Sequence, residues 1–514
     1  MKQHIIFIIA TMIFLAFPSA NAQEVIVAEN STPVENALFG YATAVSESWA
    51  IVSAPQKDSN TKQCSGSVTF YRLTEGKWTL FQEVSPEELS EFSNFGMSVS
   101  IEGNTAVVSS IGDHESGLFS GAVYVYQFNY TENSWELTKK LKASDASIGT
   151  SFGHSVQIKE NMILVGAYNA HGNETKSGAA YIFEKNETEW VETSKIYATA
   201  GKSNDYFGHT VEIISSTIIA IGAYNADGNE ERSGAVYIFE KTGNNWTQNT
   251  LLTDPIGLSS DLFGYSLSGH TYNETDILFI GAPGTNNDAM QTGSVYLFTH
   301  TKEGNWIMNY ELIESTSQHN DHFGVSVSFN NKGSLFVGSN RATFNSIKNT
   351  GKVYLYENIT LNENALESGT EFSASTSSKF DHFGSSIASF NENLIIASPY
   401  TTTDNKSNSG SVHFYRYNSV IDDEKNVEAI YRVNQNFPNP FSKSTVISYT
   451  IKKPGRVVIN LYDDMGKLIS ILKDEYQDFG SYSLPISADE LSSGLYIFEF
   501  NINGFQTSKK MIVY

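Results

Sequence analysis

The chain has 514 residues, of which 13% are aromatic and 17% charged, and its formal charge is −23. That length exceeds one ordinary core and suits two or three domains. The acidic balance argues against a nucleic-acid partner, whose phosphates select a basic face, and the many Tyr and Phe residues favour strands over helices.

At the start of the chain, Lys2 precedes an apolar run from Ile5 to Phe17, followed by Ala20-Asn21-Ala22. This reads as a secretory signal cleaved between Ala22 and Gln23. The apolar run, about 13 residues, is short against the roughly 20 needed to cross a bilayer. No later segment is apolar enough to span, so no transmembrane segment is expected in the mature chain. The single cysteine, Cys64, excludes an internal disulfide, so burial has to supply the stability. Residues 431–514 hold 9 basic and 8 acidic side chains; with Lys2 set aside, residues 23–430 carry −25. Such acidity fits solubility outside the cell.

A repeat dominates the next four hundred residues. Phe-Gly recurs at Phe39, Phe95, Phe152, Phe207, Phe263, Phe323 and Phe383, with spacings of 56, 57, 55, 56, 60 and 60. A second motif tracks it, from SGSVTFY at 65 and SGAVYVY at 120 to SGSVHFY at 409. Trp78, Trp135, Trp190, Trp246 and Trp306 each lie 17 residues before the next Phe-Gly, and Leu366 holds that register in the sixth copy. Each unit therefore has four short apolar runs bounded by Gly, Asn, Ser and Asp, which reads as four strands joined by turns. The middle two runs are almost continuously apolar, as in sheets covered on both faces. A fixed period of this size marks stacked repeats, and four-stranded sheets packed face to face are propeller blades. Seven units predict seven blades over 23–418. The strand "EVIVAE" at 24–29 is expected to supply the outer strand of the last blade, because no clean fourth run follows SGSVHFY.

These motifs resemble FG-GAP repeat proteins, the propellers of integrin alpha chains, over roughly residues 24–418. A WD40 reading fails on the period and on the lack of Trp-Asp, and a kelch reading on the lack of Gly-Gly. Many FG-GAP units hold calcium in an Asp-rich loop between their first two strands, and a hard cation needs several oxygens in one tight loop. The loops here, such as "SESW", "IEGN" and "IKEN", lack three spaced carboxylates; only Asn273-Glu274-Thr275-Asp276 is acidic enough to consider. No cofactor and no metal ligands are therefore expected. In the family, the loops after the second strand and those leading into Phe-Gly line the face where partners bind. The resemblance thus implies a ligand surface at Tyr168, Asn169, Tyr224, Asn225 and Asp227, in "AYNAHGNETKSG" and "AYNADGNEERSG". The structural alternative is that Asn and Gly make the turn and Tyr caps the blade. "DHFG" occurs at 321 and 381, but matching positions on different blades are expected to lie far apart.

No enzyme motif survives its context. Gly149-Thr150-Ser151-Phe152-Gly153 matches GxSxG, but a nucleophile elbow needs a strand-to-helix turn. HExxH and the phosphate-binding glycine loop are absent. No copy carries an acidic residue that stands out from its register. The chain is expected to be no enzyme and to have no catalytic residues.

From residue 419 to 435 the chain is charged and off-pattern, which reads as a linker. Residues 436–514 then offer six strand-like runs, a small Ig-like β-sandwich. Asn436-Phe437-Pro438-Asn439-Pro440-Phe441, Leu461-Tyr462-Asp463 with Gly466, Ser493-Gly494-Leu495-Tyr496 and Lys509-Lys510-Met511-Ile512-Val513 resemble the type A sorting domain of the type IX secretion system. The expected fold is all-β, a seven-bladed β-propeller followed by a small Ig-like β-sandwich. The resemblance implies the type IX machinery as a partner and delivery to the cell surface or medium. The expected work is binding or adhesion to an extracellular protein or glycan. A polysaccharide-active enzyme and a structural surface component stand as rivals, since one fold hosts many functions.

Overall fold

The computed structural model describes residues 22–29, 33–59, 62–187, 189–286, 290–357, 359, 369–374, 378–417, 431–451, 455–463, 467–477, 480–488, 491–502 and 505–514. Residues 1–21 of the expected signal, which ends at Ala22, and Leu366 lie outside them. Every regular element among the described residues is a β-strand. The chain divides into two compact units between Ser419 and Val420.

The first unit contains seven four-stranded antiparallel sheets among its described residues. The first sheet runs Thr43–Val45, Trp49–Ala54, Ser67–Thr74 and Lys77–Val84 in chain order. The next five repeat that order. Each sheet is covered by its neighbours, so second strands such as Trp49–Ala54, Met162–Ala167 and Ile218–Ala223 are buried along their whole length. That explains their unbroken apolar sequence. The outer strands face water on one side and alternate, as in Asn245–Leu252. The tryptophans of those outer strands reach the preceding sheet. The Trp135 ring stacks on Phe70 at 4.4 Å between centroids, and Trp78 lies 5.5 Å from Phe414 of the seventh sheet.

The two repeated motifs meet between sheets. The Phe95 backbone N–H donates to the Ser65 carbonyl at 3.0 Å, and Gly66 pairs with Phe95 in a parallel bridge. Gly66 has φ +90°, and a Cβ there would sit 2.2 Å from the Phe95 carbonyl oxygen, so only glycine fits. The contact recurs around the unit and ends with Gly410 against Phe39, which joins the seventh sheet to the first. All seven Phe-Gly phenylalanines are buried.

The inner strands carry a second set of ties. An innermost strand is a sheet edge, and its inward N–H groups have no partner in their own sheet. The preceding sheet supplies one from a side chain. The N–H of Val156 donates to Ser98 Oγ and that of Ile158 to Ser100 Oγ, each at 3.1 Å. Val211 donates to Ser155 Oγ at 3.2 Å, and Phe329 to Ser268 Oγ at 2.9 Å. Thr43 donates to Ser386 Oγ at 3.1 Å, across the junction of the seventh sheet with the first. The first unit is thus a closed ring of sheets, a β-propeller.

The seventh sheet takes its fourth strand from the other end of the chain. Ser386–Phe390, Asn393–Ser398 and Ser411–Tyr417 are completed by Ala22–Glu29, which pairs antiparallel with Ser411–Tyr417.

The second unit is a β-sandwich. One sheet orders Tyr431–Val433, Ser444–Ile451 and Gly480–Ser487, and the other orders Leu468–Gln477, Gly455–Asp463, Gly494–Ile502 and Phe505–Val513. Ile447, Tyr449, Ile459, Phe498, Phe500 and Met511 form its core. The six expected strands are all present. A seventh, Tyr431–Val433, corrects the linker boundary: it pairs with Ser444–Ile451 inside the segment read as linker. Charges on its flanks hid a strand too short to show a period.

Candidate binding face

The loops of the propeller's Phe-Gly end follow from local backbone chemistry. The residue before each Phe-Gly has positive φ: Leu38, Asn94, Ser151, Tyr206, Leu262, His322 and His382 lie between 50° and 62°. Such angles are costly for bulky side chains. Because all seven copies share them, the strain belongs to the turn. Where the side chain is aromatic, the turn presents it at the end of the ring.

Second strands end at Ala167 and Ala223, which places Tyr168 and Tyr224 at this end. The sequence paired these two as equivalents; the structure links them through residues it had passed over. Tyr168 lies 4.4 Å from His154 and 5.4 Å from Tyr206 between ring centroids. Tyr224 lies 4.4 Å from His209, 5.6 Å from Tyr206 and 5.5 Å from Tyr265. His154 and His209 are themselves 4.8 Å apart. Asn169 and Asn225 serve their loops instead: Asn225 Nδ2 donates to the Asn204 carbonyl at 2.7 Å, and Asn169 Nδ2 to Ser151 Oγ at 3.5 Å. Asp227 accepts from Lys202 Nζ at 2.8 Å and from the Arg232 N–H at 3.0 Å. The ammonium of Lys202 holds its carboxyl below the usual range. Asp227 is an exposed turn residue in an ion pair, apart from the aromatic group.

The group continues across the end of the ring. Burial first, then the hydroxyls of Tyr400, Tyr265 and Tyr168, push the Tyr41 phenol up to about 12. Arg341 acts on Tyr265 and His382, and its guanidinium lies 3.4 Å from His322 Nε2. His382 and Tyr400 are 5.1 Å apart. Ring contacts join Tyr168, Tyr206, Tyr224 and Tyr265, and separately His382 and Tyr400; with Arg341 and Tyr41, which act on them electrostatically, these residues make a belt at this end. Burial pulls His154 and His322 down to about 4 and His209 to about 3, so these rings are neutral at ordinary pH. The register could have revealed the group: Tyr41, His154, His209 and Tyr265 all directly follow Phe-Gly, and Tyr206, His322 and His382 directly precede it. The two "DHFG" histidines do share this end, although equivalent blade positions were expected to lie far apart. No group of three or more His, Cys, Asp or Glu that could hold a metal occurs among the described residues.

The hydroxyls of the belt gather at one end of the ring. In the blade cores Tyr124 donates to Asp113 at 3.0 Å, Tyr181 to Asp145 at 2.7 Å and Tyr356 to Glu314 at 2.9 Å, while the buried Tyr310 hydroxyl has no partner among the described residues. The hydroxyls of Tyr41, Tyr168, Tyr206, Tyr224 and Tyr265 have no such partner among the described residues. Nor do the buried Nδ1 atoms of His154 and His209.

Between the inner strands lies a channel of about 760 Å³, lined by residues that include Ser100, Gln157, Lys159, Glu212 and His270. Glu212 is an acidic residue that does stand out from its register, contrary to the sequence reading. It is buried, and its Oε1 accepts the Gly269 N–H at 3.0 Å. Burial pushes its carboxyl up to about 7, against weaker opposing pulls from Gly269, Gln157 and Lys159. Ser100, Gln157 and Ser268 hold the same repeat position, and each receives an N–H from the next sheet. Glu212 does the same structural task with a carboxyl.

Two sequence features resolve on the backbone. Asn273 and Glu274 form a two-residue hairpin turn between paired Tyr272 and Thr275, too tight to wrap a cation, and Asp276 accepts from Thr271 Oγ1 at 2.6 Å. The Gly149–Gly153 stretch leads into the strand Ser155–Lys159, not into a helix, so Ser151 sits on no nucleophile elbow.

The FG-GAP repeat family matches residues 78–126, 135–183 and 190–239, and the secretion system C-terminal sorting domain matches residues 435–514. The chain carries FG-GAP repeats and a type IX sorting domain. Each FG-GAP match begins at an outer-strand Trp and runs through the third strand of the next sheet. The sorting domain marks the protein for export across the outer membrane to the cell surface or extracellular space, with the type IX machinery as its partner. No helix among the described residues is long and apolar enough to cross a membrane. Comparison with curated proteins returned no match. Among solved structures, that of Saccharomyces cerevisiae Sqt1 aligns with 11% identity and a TM-score of 0.42, over 77% of this chain and 99% of that one.

Proposed function

We propose that the exported FG-GAP propeller is a binding or adhesion protein that recognises an extracellular protein or glycan through the belt at its Phe-Gly end, without a cofactor and without catalysis. One observation carries this reading: five tyrosine hydroxyls without protein partners among the described residues are gathered at one end of the ring, whereas Tyr124, Tyr181 and Tyr356 of the blade cores are bonded. A phenol with an apolar face and an unspent hydroxyl suits contact with a partner. The loops can vary there because the ring beneath is rigid.

The test is a screen of the full-length protein against glycan arrays and matrix proteins, with and without calcium. A saturable partner should bind at least tenfold more weakly to Tyr168→Ala or Tyr224→Ala. A partner indifferent to both substitutions would place binding elsewhere and sink this reading.

A further inference from the structure

We propose that the belt takes an acidic glycan, a chain bearing uronic acids, with sugar rings against the tyrosines and a carboxylate on Arg341. This rests on the reading of the Phe-Gly end as the binding face. The first argument is charge. Residues 23–430 carry −25, yet the groups acting on Tyr41, Tyr224, Tyr265, His322 and His382 are other belt tyrosines, a histidine and Arg341. Asp205, Asp321 and Asp381 directly precede Tyr206, His322 and His382, but they are buried and accept the turn N–H groups of Lys202, Gln318 and Ser378. At physiological salt the Debye length is about 8 Å, so distant carboxylates are largely screened and the nearest cation decides.

The second argument is that Arg341 is unspent. Many other cations are paired: Lys140 with Asp113 and Glu115, Lys195 with Asp145, Lys202 with Asp227. Arg341 is exposed and has no carboxylate partner among the described residues; its side-chain neighbour is His322 Nε2. A guanidinium fork matches a carboxylate with two parallel hydrogen bonds.

The third argument separates a glycan from an acidic peptide. A peptide seeks a free strand edge or apolar pockets. The belt is built where strands end, at Ala167 and Ala223, and offers no edge. It offers unbonded phenols, which suit a ligand with a hydroxyl on almost every carbon.

The experiment is titration of the full-length protein at 0.15 M salt, with oligogalacturonate and oligoalginate as acidic probes. Their carboxyl-reduced forms are the neutral controls, and a polyglutamate peptide is the rival. An acidic glycan should bind at least tenfold more tightly than its reduced form. Arg341→Gln should abolish that preference, Arg341→Lys should restore part of it, and an unchanged melting midpoint should show that both variants fold. Equal binding of acid and reduced forms, tighter binding of polyglutamate, an unaffected Arg341→Gln, or no binding of any acidic glycan would each overturn the proposal. If Tyr168→Ala and Tyr224→Ala still weaken a neutral glycan, the binding face stands and only its acidic class falls. If they weaken nothing that binds, both fall.

Discussion

Glu212 shows what one side chain can do inside a repeat. Its carboxyl bridges two sheets where other copies use Ser or Gln, and burial holds its proton up to about pH 7. Below the ordinary carboxyl range, near 4.5, folded and unfolded chains both keep the proton. Between there and 7 the unfolded chain ionises and the folded one does not, so stability falls as pH rises. A shift of this size corresponds to about 3 kcal/mol, lost by pH 8. Glu212→Gln keeps an acceptor for the Gly269 N–H and removes the titration. Its stability relative to the parent should therefore climb between pH 4.5 and 8, as read from urea midpoints. A constant difference across that range would show that Glu212 does not titrate there. The sequence contained this residue in plain register, but a lone Glu carries no sign of burial. Only the structure shows it inside the ring. Tyr168 and Tyr224 were legible because their loops repeat almost word for word, whereas Tyr41 and Tyr400, 359 positions apart, meet only once the ring has closed.

At the scale of elements, the glycine-to-phenylalanine contact between sheets is the repeated joint. Gly410 has φ +84°, and a Cβ would fall 2.0 Å from the Phe39 carbonyl oxygen. Gly243 has φ +63° with nothing within 4 Å of its Cβ position. Gly243→Ala should cost only backbone strain, about 1 kcal/mol. Gly410→Ala adds a backbone clash at the ring's closure and should cost at least about 1–3 kcal/mol more. Thermal melts of the two variants compare them directly, and equal melting points would show that the joint yields freely. The strands themselves were readable because burial on both faces leaves unbroken apolar runs and each turn needs Gly, Asn or Ser. Tyr431–Val433 escaped because three residues cannot show alternation.

Over the whole molecule, the propeller and the sorting domain are separate units, and the second carries the instruction for export. Removing residues 435–514 should leave the propeller sequence intact and stop it inside the outer membrane. Cell fractionation in a host with the type IX system would show it: the truncated chain should collect in the periplasm and the full chain outside. Equal external amounts would mean that the tail does not direct export. The repeat number and the tail were legible because each is written as ordered motifs. The ligand was not, because on the proposed reading recognition uses the few positions that depart from the repeat.

The strand Ala22–Glu29 gives the ring a clock. Among the described residues its ladder partner is Ser411–Tyr417, almost four hundred residues later. Contacts so far apart in sequence are slow to form. Six sheets can assemble in succession as their residues arrive, each against the one before. The seventh has to wait for both ends, so an early segment is among the last to settle. Until then the ring is an open arc, and the edge of Ser411–Tyr417 stands bare as a place where another strand could pair.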